Sequence, residues 1–329
     1  MPMPVSSPSR RHLTVLGTAL IVSLSPLAFA DTWPSKPVRI IVPYGPGGAV
    51  DVVTRKIAQK LTEQTGQSVF VENKAGATGT IGAQMVAKAE PDGYTLMAND
   101  TTYALLPHIF KKLPFDQASD LMPVSAFAFT PMALAVNANA KYKTLGELVA
   151  EAKAHPNKIT YGSGGAGTTP HFASEALGIA AGVNFMHIPF KGAAEATQAV
   201  LSGTIDMQIA STTGLMSNVR GGKLRLLAVS GDRRLGSLPD TPTFTEAGVP
   251  WVGVVNWTGL WAPKGTPVAV LNRLQKEVAT AMATADMKTF AEGMGADPRQ
   301  AGAEAFARIL KDSTEAWGKV ANNTAFERQ

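Results

Sequence analysis

Short runs of aliphatic and β-branched residues alternate along the chain with segments whose apolar residues recur every three or four positions. The run from Val38 to Val42 predicts a first strand. Val53, Ile57 and Leu61 then recur at four-residue spacing, which predicts a helix over residues 51–61. Strands at 68–71 and 94–98 follow, with a helix ending near residue 89 between them. Strands that alternate with helices are typical of α/β layers.

A second series of the same kind begins near Pro131. Thr144 and Glu147 have the spacing of a capping box, so a helix is expected to start there and to end at Pro156. Thr169 is expected to cap another helix. The remaining predicted elements are strands at 134–136, 159–161, 185–188, 206–210, 224–229 and 257–261, and helices at 193–201 and from residue 267.

Two consecutive βα series predict two α/β lobes with a ligand cleft between them. Residues 31–130 are expected to form the first lobe together with about 257–329, because the C-terminal helices would return to it. Residues of about 131–256 are expected to form the second lobe.

Residues 1–30 have the features of a signal peptide. Arg10 and Arg11 precede a mostly apolar stretch, and Ala28-Phe29-Ala30 is a small-residue cleavage signature, so cleavage is predicted after Ala30. The arginine pair also resembles a twin-arginine signal, but no cofactor motif follows that would require export of a folded protein. The sequence therefore predicts Sec export and a soluble protein in the periplasm.

The composition narrows the possible functions. The 329 residues contain no cysteine, which excludes disulfides, thiolate metal sites, a cysteine nucleophile and a lipid anchor on cysteine. The net charge is only +5, and no basic run is interleaved with aromatic residues, so nucleic acid is not expected as a partner. Beyond the signal peptide, no stretch approaches the roughly 20 apolar residues of a membrane span.

Three glycine-rich loops each follow a predicted strand and open a predicted helix. They are residues 44–51, 76–82 and 162–169. Helix N-termini leave backbone N–H groups free and carry partial positive charge, so they bind anions without a cationic side chain. The alternative is that these loops are ordinary tight βα connections.

Other chemistry finds less support. Gly162, Gly164 and Gly167 fit G-x-G-x-x-G, but residues 184–190 lack the acidic residue that a dinucleotide site needs. There is no G-x-S-x-G or H-E-x-x-H motif. We therefore expect no cofactor, no metal and no catalysis.

Four polar residues near these loops have two interpretations each. His171 lies in the first turn of a helix and could reach the cleft, or could hydrogen-bond within its lobe. Asp51 is interpreted as a structural residue of the first helix, since its charge would repel an anion. Asp206 is interpreted as a buried hydrogen-bonding residue. Lys191 could pair with a carboxylate or be solvated.

A set of motifs in fixed order carries a family resemblance. The motifs are Pro43-Tyr44-Gly45-Pro46-Gly47-Gly48 with Asp51, Glu72-Asn73-Lys74, Pro91-Asp92-Gly93-Tyr94, Gly162-Ser163-Gly164 with His171, Pro189-Phe190-Lys191-Gly192, Pro239-Asp240-Thr241-Pro242-Thr243 and Trp257-Thr258-Gly259-Leu260. Together they closely resemble the Bug-type receptors of tripartite tricarboxylate transporters, over nearly all of the chain after the signal peptide.

The resemblance implies a type II periplasmic-binding-protein fold, a carboxylate ligand held by backbone groups and water, and two integral-membrane transporter subunits as partners. Family ligands include dicarboxylates, amino acids and aromatic acids, and the shared motifs do not identify the one bound here. The residues expected to bind the ligand are Tyr44, Gly47, Gly48, Gly79, Thr80, Ser163, Gly164 and Thr168, with His171 added from its position.

The expected function is reversible binding by a monomer, with Tyr44 bounding the variable part of the ligand. Two alternatives remain at this stage. An enzyme on the same fold would act on a small acid through His171. A receptor for a membrane sensor kinase would differ only in its partner.

Overall fold

The computed structural model describes residues 1–3, 33–250, 256–297, 299–324 and 326–329. The predicted cleavage site after Ala30 lies outside the described residues. Among the helices that are described, none has the length and apolar character needed to cross a membrane.

The described residues form strands and helices in alternation over most of the chain. The strands are β1 (Val38–Val42), β2 (Val69–Asn73), β3 (Thr95–Asp100), β4 (Leu121–Thr130), β5 (Met132–Asn137), β6 (Thr160–Ser163), β7 (Met186–Pro189), β8 (Met207–Ser211), β9 (Leu224–Val229), β10 (Asn256–Pro263) and β11 (Ala301–Gly302). The helices are α1 (Ala49–Thr65), α2 (Thr80–Ala87), α3 (Thr102–Ile109), α4 (Leu145–Ala154), α5 (Thr169–Ala181), α6 (Ala193–Leu201), α7 (Thr212–Arg220), α8 (Val268–Ala283), α9 (Ala285–Gly293) and α10 (Ala303–Asn322).

The strands build two mixed sheets. The first sheet has the order β11-β4-β10-β3-β1-β2, and the second has the order β7-β6-β8-β5-β9. In the first sheet β1 is parallel to β2 and β3, while β10 runs antiparallel to β3 and β4. In the second sheet β6 is parallel to β7 and β8, while β5 runs antiparallel to β8 and β9. The predicted two-lobed α/β fold is confirmed.

The parallel strands decide where a ligand can bind. Besides β2, which leads into α2, five of them lead from their carboxyl ends into a helix: β1 into α1, β3 into α3, β6 into α5, β7 into α6 and β8 into α7. Ligands of α/β sheets bind at the carboxyl ends of such strands. The topology therefore gathers five helix N-termini at facing edges of the two sheets.

The chain passes from one sheet to the other at two places. Pro131 joins β4 of the first sheet to β5 of the second, and the segment after β9 returns to β10. Helices α8 and α10 pack against β4 of the first sheet. The C-terminal tail contacts both sides: the Gln329 N–H donates to the Ile109 carbonyl, while the Phe326 ring packs on His171 and Phe172 at the start of α5.

The pattern of apolar residues explains these elements. Val53, Ile57 and Leu61, whose spacing predicted an amphipathic helix, lie in α1 and are all buried. Along β1, Ile41 joins one buried cluster and Ile40 joins another, since successive side chains of a strand point to opposite faces of the sheet. The cluster that contains Ile41 continues into the second sheet through Leu134 and Phe172.

The sequence reasoning missed or misplaced some elements. Strand β4 and helix α3 were not predicted. The N-cap of α5 is Thr168 rather than Thr169, and its hydroxyl donates to the Gly165 carbonyl instead of accepting from the helix. At α4 the Thr144 hydroxyl accepts from the Glu147 N–H as expected, but the Glu147 carboxylate accepts from the Lys143 N–H and not from Thr144.

Gly259 in β10 lies against a buried aromatic cluster of Trp257, Trp261 and Phe306. A Cβ atom at position 259 would lie 2.1 Å from Cζ and 2.5 Å from Cε1 of Phe306, whose ring is fully buried. We expect Gly259→Ala to lower the free energy of unfolding by about 1–3 kcal/mol through overpacking. Urea denaturation of the purified protein measures this change.

Gly146 in α4 provides the matched control, because a Cβ atom there would meet nothing closer than 3.9 Å. Gly146→Ala should leave stability unchanged or raise it, since alanine favours helix formation. Equal stability of the two variants would contradict the proposed overpacking.

Candidate ligand-binding site

The five helix N-termini at the facing sheet edges line one cavity. This inner cavity has a volume of about 50 Å³. Residues from the first turn or the N-cap of α1, α3, α5, α6 and α7 contribute to its wall. They are Gly48, Ala49, Val50, Asp51, Thr102, Thr168, Thr169, Pro170, Ala193, Ala194, Ser211 and Gly214.

The N-cap side chains leave these helix ends uncapped, although the first N–H groups of α3, α5 and α7 donate to Asp100, Thr102 and Pro131. The N-cap residues of the five helices, which are Gly48, Thr101, Thr168, Gly192 and Ser211, make no side-chain capping hydrogen bond. Each helix N-terminus carries about half a positive charge on its free N–H groups. The described wall of the inner cavity contains no lysine, arginine or histidine. Attraction of an anion by this wall would therefore come from the backbone.

Asp51 lines this cavity, but hydrogen-bond donors of the protein compensate its negative charge. Its carboxylate accepts hydrogen bonds from Arg55 at 2.9 and 3.0 Å, from the Gly47 N–H at 2.9 Å and from the Asn73 side chain at 2.9 Å. Burial raises the pKa of Asp51, but the hydrogen bonds from Arg55, Gly47 and Asn73 outweigh it and hold the pKa below its ordinary value. Asp51 thus ties the loop before α1 to its own helix.

Asp100 also lines the inner cavity, at the carboxyl end of β3. Its hydrogen-bond partners differ from those of Asp51. Its Oδ1 atom accepts from the Thr102 N–H at 3.0 Å and lies 3.2 Å from the Tyr44 hydroxyl. No ion pair to Asp100 occurs within the described part of the chain. Burial raises the pKa of Asp100, and the hydrogen bonds from Thr102 and Tyr44 offset this only in part.

Tyr44 stands beside Asp100. Its hydroxyl donates to Oδ1 of Asn99 at 2.8 Å. Burial and the neighbouring Asp100 charge raise the pKa of Tyr44 well above its ordinary value, so the hydroxyl remains a donor. Its ring borders both the inner cavity and a second, outer cavity of about 530 Å³.

The outer cavity lies between the loop before α2 and the loop before α5. It is lined by residues 75–79, by Gly164 to Ala166, and by Phe190, Lys191 and Gln329. The Thr78 hydroxyl donates to the Ala166 carbonyl at 2.8 Å and so joins the two loops. Tyr44 and Gly164 belong to both cavities, which makes them the boundary between inner and outer space.

The structure brings together six of the residues that the sequence singled out at the inner cavity: Tyr44, Gly47, Gly48, Asp51, Gly164 and Thr168. It places Gly79 and Lys191 at the outer cavity. Thr80, Ser163, His171 and Asp206 line neither cavity. The Thr80 hydroxyl donates to the Ala77 carbonyl, and the Asp206 carboxylate accepts from the N–H and hydroxyl of Thr160, which joins β6 to β8.

Ser163 and His171 belong to a buried polar cluster behind the loop before α5. The Ser163 hydroxyl donates to the Gly165 carbonyl and lies 2.6 Å from Nε2 of His187. The rings of His187 and His171 stack at 4.1 Å, and Nδ1 of His171 accepts from the Gly167 N–H. Burial lowers the pKa of His171 to about 3 and that of His187 to about 4, so both are neutral at neutral pH.

Several cavity residues were missed by the sequence reasoning. Asp100, Thr102, Ser211, Gly214 and Asn256 come from β3–α3, β8–α7 and β10, where no glycine-rich loop drew attention. Asp100 and Thr102 directly follow a predicted strand. A search for polar residues at every strand end, rather than for glycine alone, would have found both.

Two lobes whose parallel strands end at helix N-termini around a shared cavity define a two-lobed solute-binding protein. The family description "Tripartite tricarboxylate transporter family receptor" matches residues 53–326, and the chain belongs to this family. The resemblance seen in the motifs is therefore confirmed. A relative from Pseudomonas sp. (strain P51), the UPF0065 protein in the tcbD-tcbE intergenic region, is 35% identical over 94% of this chain and 93% of its own length.

Solved structures of similar proteins support the family assignment. The periplasmic binding protein BugD is similar with a TM-score of 0.86 and 31% identity, over 90% of this chain and all of that one. Rpa4515 of R. palustris with adipate has a TM-score of 0.85 and 29% identity, over 88% and 97%. MatC from Rhodopseudomonas palustris with bound malate has a TM-score of 0.82 and 28% identity, over 88% and 100%.

The network around Asp51 makes a prediction about stability and pH. Asp51→Asn removes the charge that Arg55, Gly47 and Asn73 surround, and its side chain is only 5% exposed. We expect a loss of about 1–3 kcal/mol at pH 7, measured by urea denaturation. Because folding lowers the pKa of Asp51 below 3.8, this stabilisation is present above that pH and is lost as the pH falls further.

Wild type and Asp51→Asn should thus converge in stability towards pH 2. Asp240→Asn, at an exposed position, is the control and should change neither stability nor its pH dependence. A gap between wild type and Asp51→Asn that stays constant down to pH 2 would contradict the assignment.

Proposed function

We propose that this protein binds a small organic acid by its carboxylate in the inner cavity and delivers it to a tripartite transporter with two integral-membrane subunits. The observation that carries this proposal is the convergence of five helix N-termini on a cavity without a cationic side chain in its described wall. Oriented N–H groups with partial positive charge favour an anion there. The relatives whose structures hold adipate and malate support a carboxylate as the shared ligand group.

We propose that Tyr44, Gly47, Gly48, Gly164 and Thr168 contact the ligand, since they line the inner cavity. Gly79 and Lys191 would meet the part of a larger ligand that reaches the outer cavity. The remaining residues of interest, which are Thr80, Ser163, His171, Asp51 and Asp206, would hold the loops in place through their hydrogen bonds to the protein.

The lobes are proposed to be residues 31–130 with about 257–329 and residues of about 131–256. Sheet membership supports this division, because β10 and β11 pair within the first sheet. Pro131 and the connection from β9 to β10 would then act as the two hinges. A ligand that contacts both lobes favours their closed arrangement because it binds that arrangement more tightly.

We infer that the protein does not turn its ligand over. Ser163 and His187 form the described pair closest to a nucleophile and base, but Ser163 is fully buried and its hydroxyl donates to the Gly165 carbonyl. Neither residue lines the inner cavity. We further propose that a monomer acts in the periplasm after cleavage behind Ala30.

Gly48→Asp tests the site. The Gly48 backbone has φ −75°, and a Cβ atom would lie 3.9 Å from the Gly45 carbonyl oxygen, its nearest described neighbour, so a side chain fits. A carboxylate there would repel the ligand carboxylate. We expect at least a tenfold loss of affinity, about 1.4 kcal/mol, in isothermal titration calorimetry.

The ligand is first found by thermal shift of the mature protein against dicarboxylates, aromatic acids and acidic amino acids. Binding to the native state alone stabilises it by about 2.7 kcal/mol at a hundredfold excess over Kd. Gly48→Asn is the control of equal size without charge and should keep most of the affinity. Retained affinity in Gly48→Asp would count against the inner cavity as the anion site.

A further inference from the structure

We propose that Asp100 makes this protein select organic acids that also carry a protonated nitrogen, such as amino acids, over dicarboxylates of the same carbon skeleton. This inference rests on the proposed function, because it concerns the other end of the same ligand in the same cavity. Asp100 would be a specificity-determining residue that contacts the ligand directly.

Among the polar side chains of the described cavity wall, the Asp100 carboxylate lacks a partner of opposite charge. Most of them already bond to protein groups: Asp51 to Arg55, Thr168 to the Gly165 carbonyl, Thr169 to Thr102, Thr197 to Gln208, Ser211 to Thr130, and Asn256 to Thr101 and Thr130. Asp100 accepts hydrogen bonds from the Thr102 N–H and the Tyr44 hydroxyl, both of which are neutral. Its negative charge has no cationic partner among the described residues.

Charge balance then sets the chemistry of the ligand. The described wall of the inner cavity has helix N-termini for an anion and one carboxylate, Asp100, whose charge is offset only by the partial positive charge at the start of α3. A dicarboxylate that places one group at the helix ends would bring its second negative charge towards Asp100. Like charges in a partly buried site repel more strongly than in water. An ammonium group at the same place would instead neutralise Asp100 and give it a charge-assisted hydrogen bond.

The neighbouring cation does not remove this preference. Lys191 lines the outer cavity, on the far side of Tyr44 and Gly164, and it is exposed. A carboxylate that reaches Lys191 is therefore screened by solvent, whereas Asp100 lies within the inner cavity. Asp100 thus places a negative charge at the inner cavity, and Lys191 places a positive charge at the outer cavity.

The local role of Asp100 can be separated from its charge. Its Oδ1 atom caps the first turn of α3 through the Thr102 N–H. An asparagine carbonyl can accept the same hydrogen bond, and the Tyr44 hydroxyl keeps its 2.8 Å partner on Asn99. Asp100→Asn should therefore fold normally and change only the charge that the ligand meets.

The test uses three pairs of acids that differ by one ammonium group: succinate and aspartate, glutarate and glutamate, phenylacetate and phenylglycine. Titration calorimetry at pH 7.5 gives the affinity ratio within each pair for the mature wild type, Asp100→Asn, Asp100→Ser and the exposed control Asp240→Asn. We expect wild type and Asp240→Asn to prefer the amine-bearing member of a bound pair by at least tenfold. In both Asp100 variants this preference should fall at least tenfold.

A ratio within one variant does not depend on how much of that variant is folded, so a loss of stability cannot imitate the result. If the amine-free member of each bound pair binds wild type as tightly as its amine-bearing partner, and the Asp100 variants leave the ratio unchanged, the role of Asp100 is overturned while carboxylate binding stands. If wild type binds none of the six acids and no acid of the thermal-shift panel, the proposed function and the role of Asp100 both fail.

Discussion

A helix N-terminus exposes backbone N–H groups that need an acceptor, and the inner cavity is built around five such N-termini. Parallel strands place the starts of successive helices at the same sheet edge. Here β1 and β3 do so in the first lobe, and β6, β7 and β8 do so in the second. When the two edges face each other, five helix ends share one space. The site is therefore a consequence of topology, and its side chains adjust what the backbone already provides.

Asp51 and Asp100 show how environment sets the role of one residue type in this space. Arg55, the Gly47 N–H and Asn73 donate hydrogen bonds to the Asp51 carboxylate. The pKa of Asp51 therefore falls, and its charge is compensated within the protein. Asp100 receives only neutral donors, so burial raises its pKa and its charge faces the cavity. A search by residue type alone would treat the two carboxylates as equivalent. Their difference lies in the partners that the fold brings to each.

Much of this arrangement could be predicted from sequence because it depends on local pattern. The glycine-rich loops before α1 and α5 were predicted from the pattern, and the family resemblance added Gly48, Gly164 and Thr168, which line the cavity. Asp100 was missed because only glycine-rich strand ends were considered. Asn256 was missed because its place depends on long-range strand pairing: β10 follows β3 by more than 150 residues yet lies beside it. Ser163 and His171 were placed in the right loop, but which side chain faces the cavity is decided by packing.

Hydrogen bonds between loops are one part of the contact between the two lobes, beside the buried apolar cluster that continues from Ile41 to Leu134 and Phe172. The described hydrogen bonds between the loops include Thr78 to the Ala166 carbonyl and the Thr169 N–H to the Thr102 hydroxyl. A hydrogen bond of this kind contributes about 1 kcal/mol net. Shifting a two-state equilibrium from 1:99 to 99:1 takes about 5.5 kcal/mol of differential affinity. These two hydrogen bonds fall short of that difference, and a carboxylate held by helix ends of both lobes can supply it.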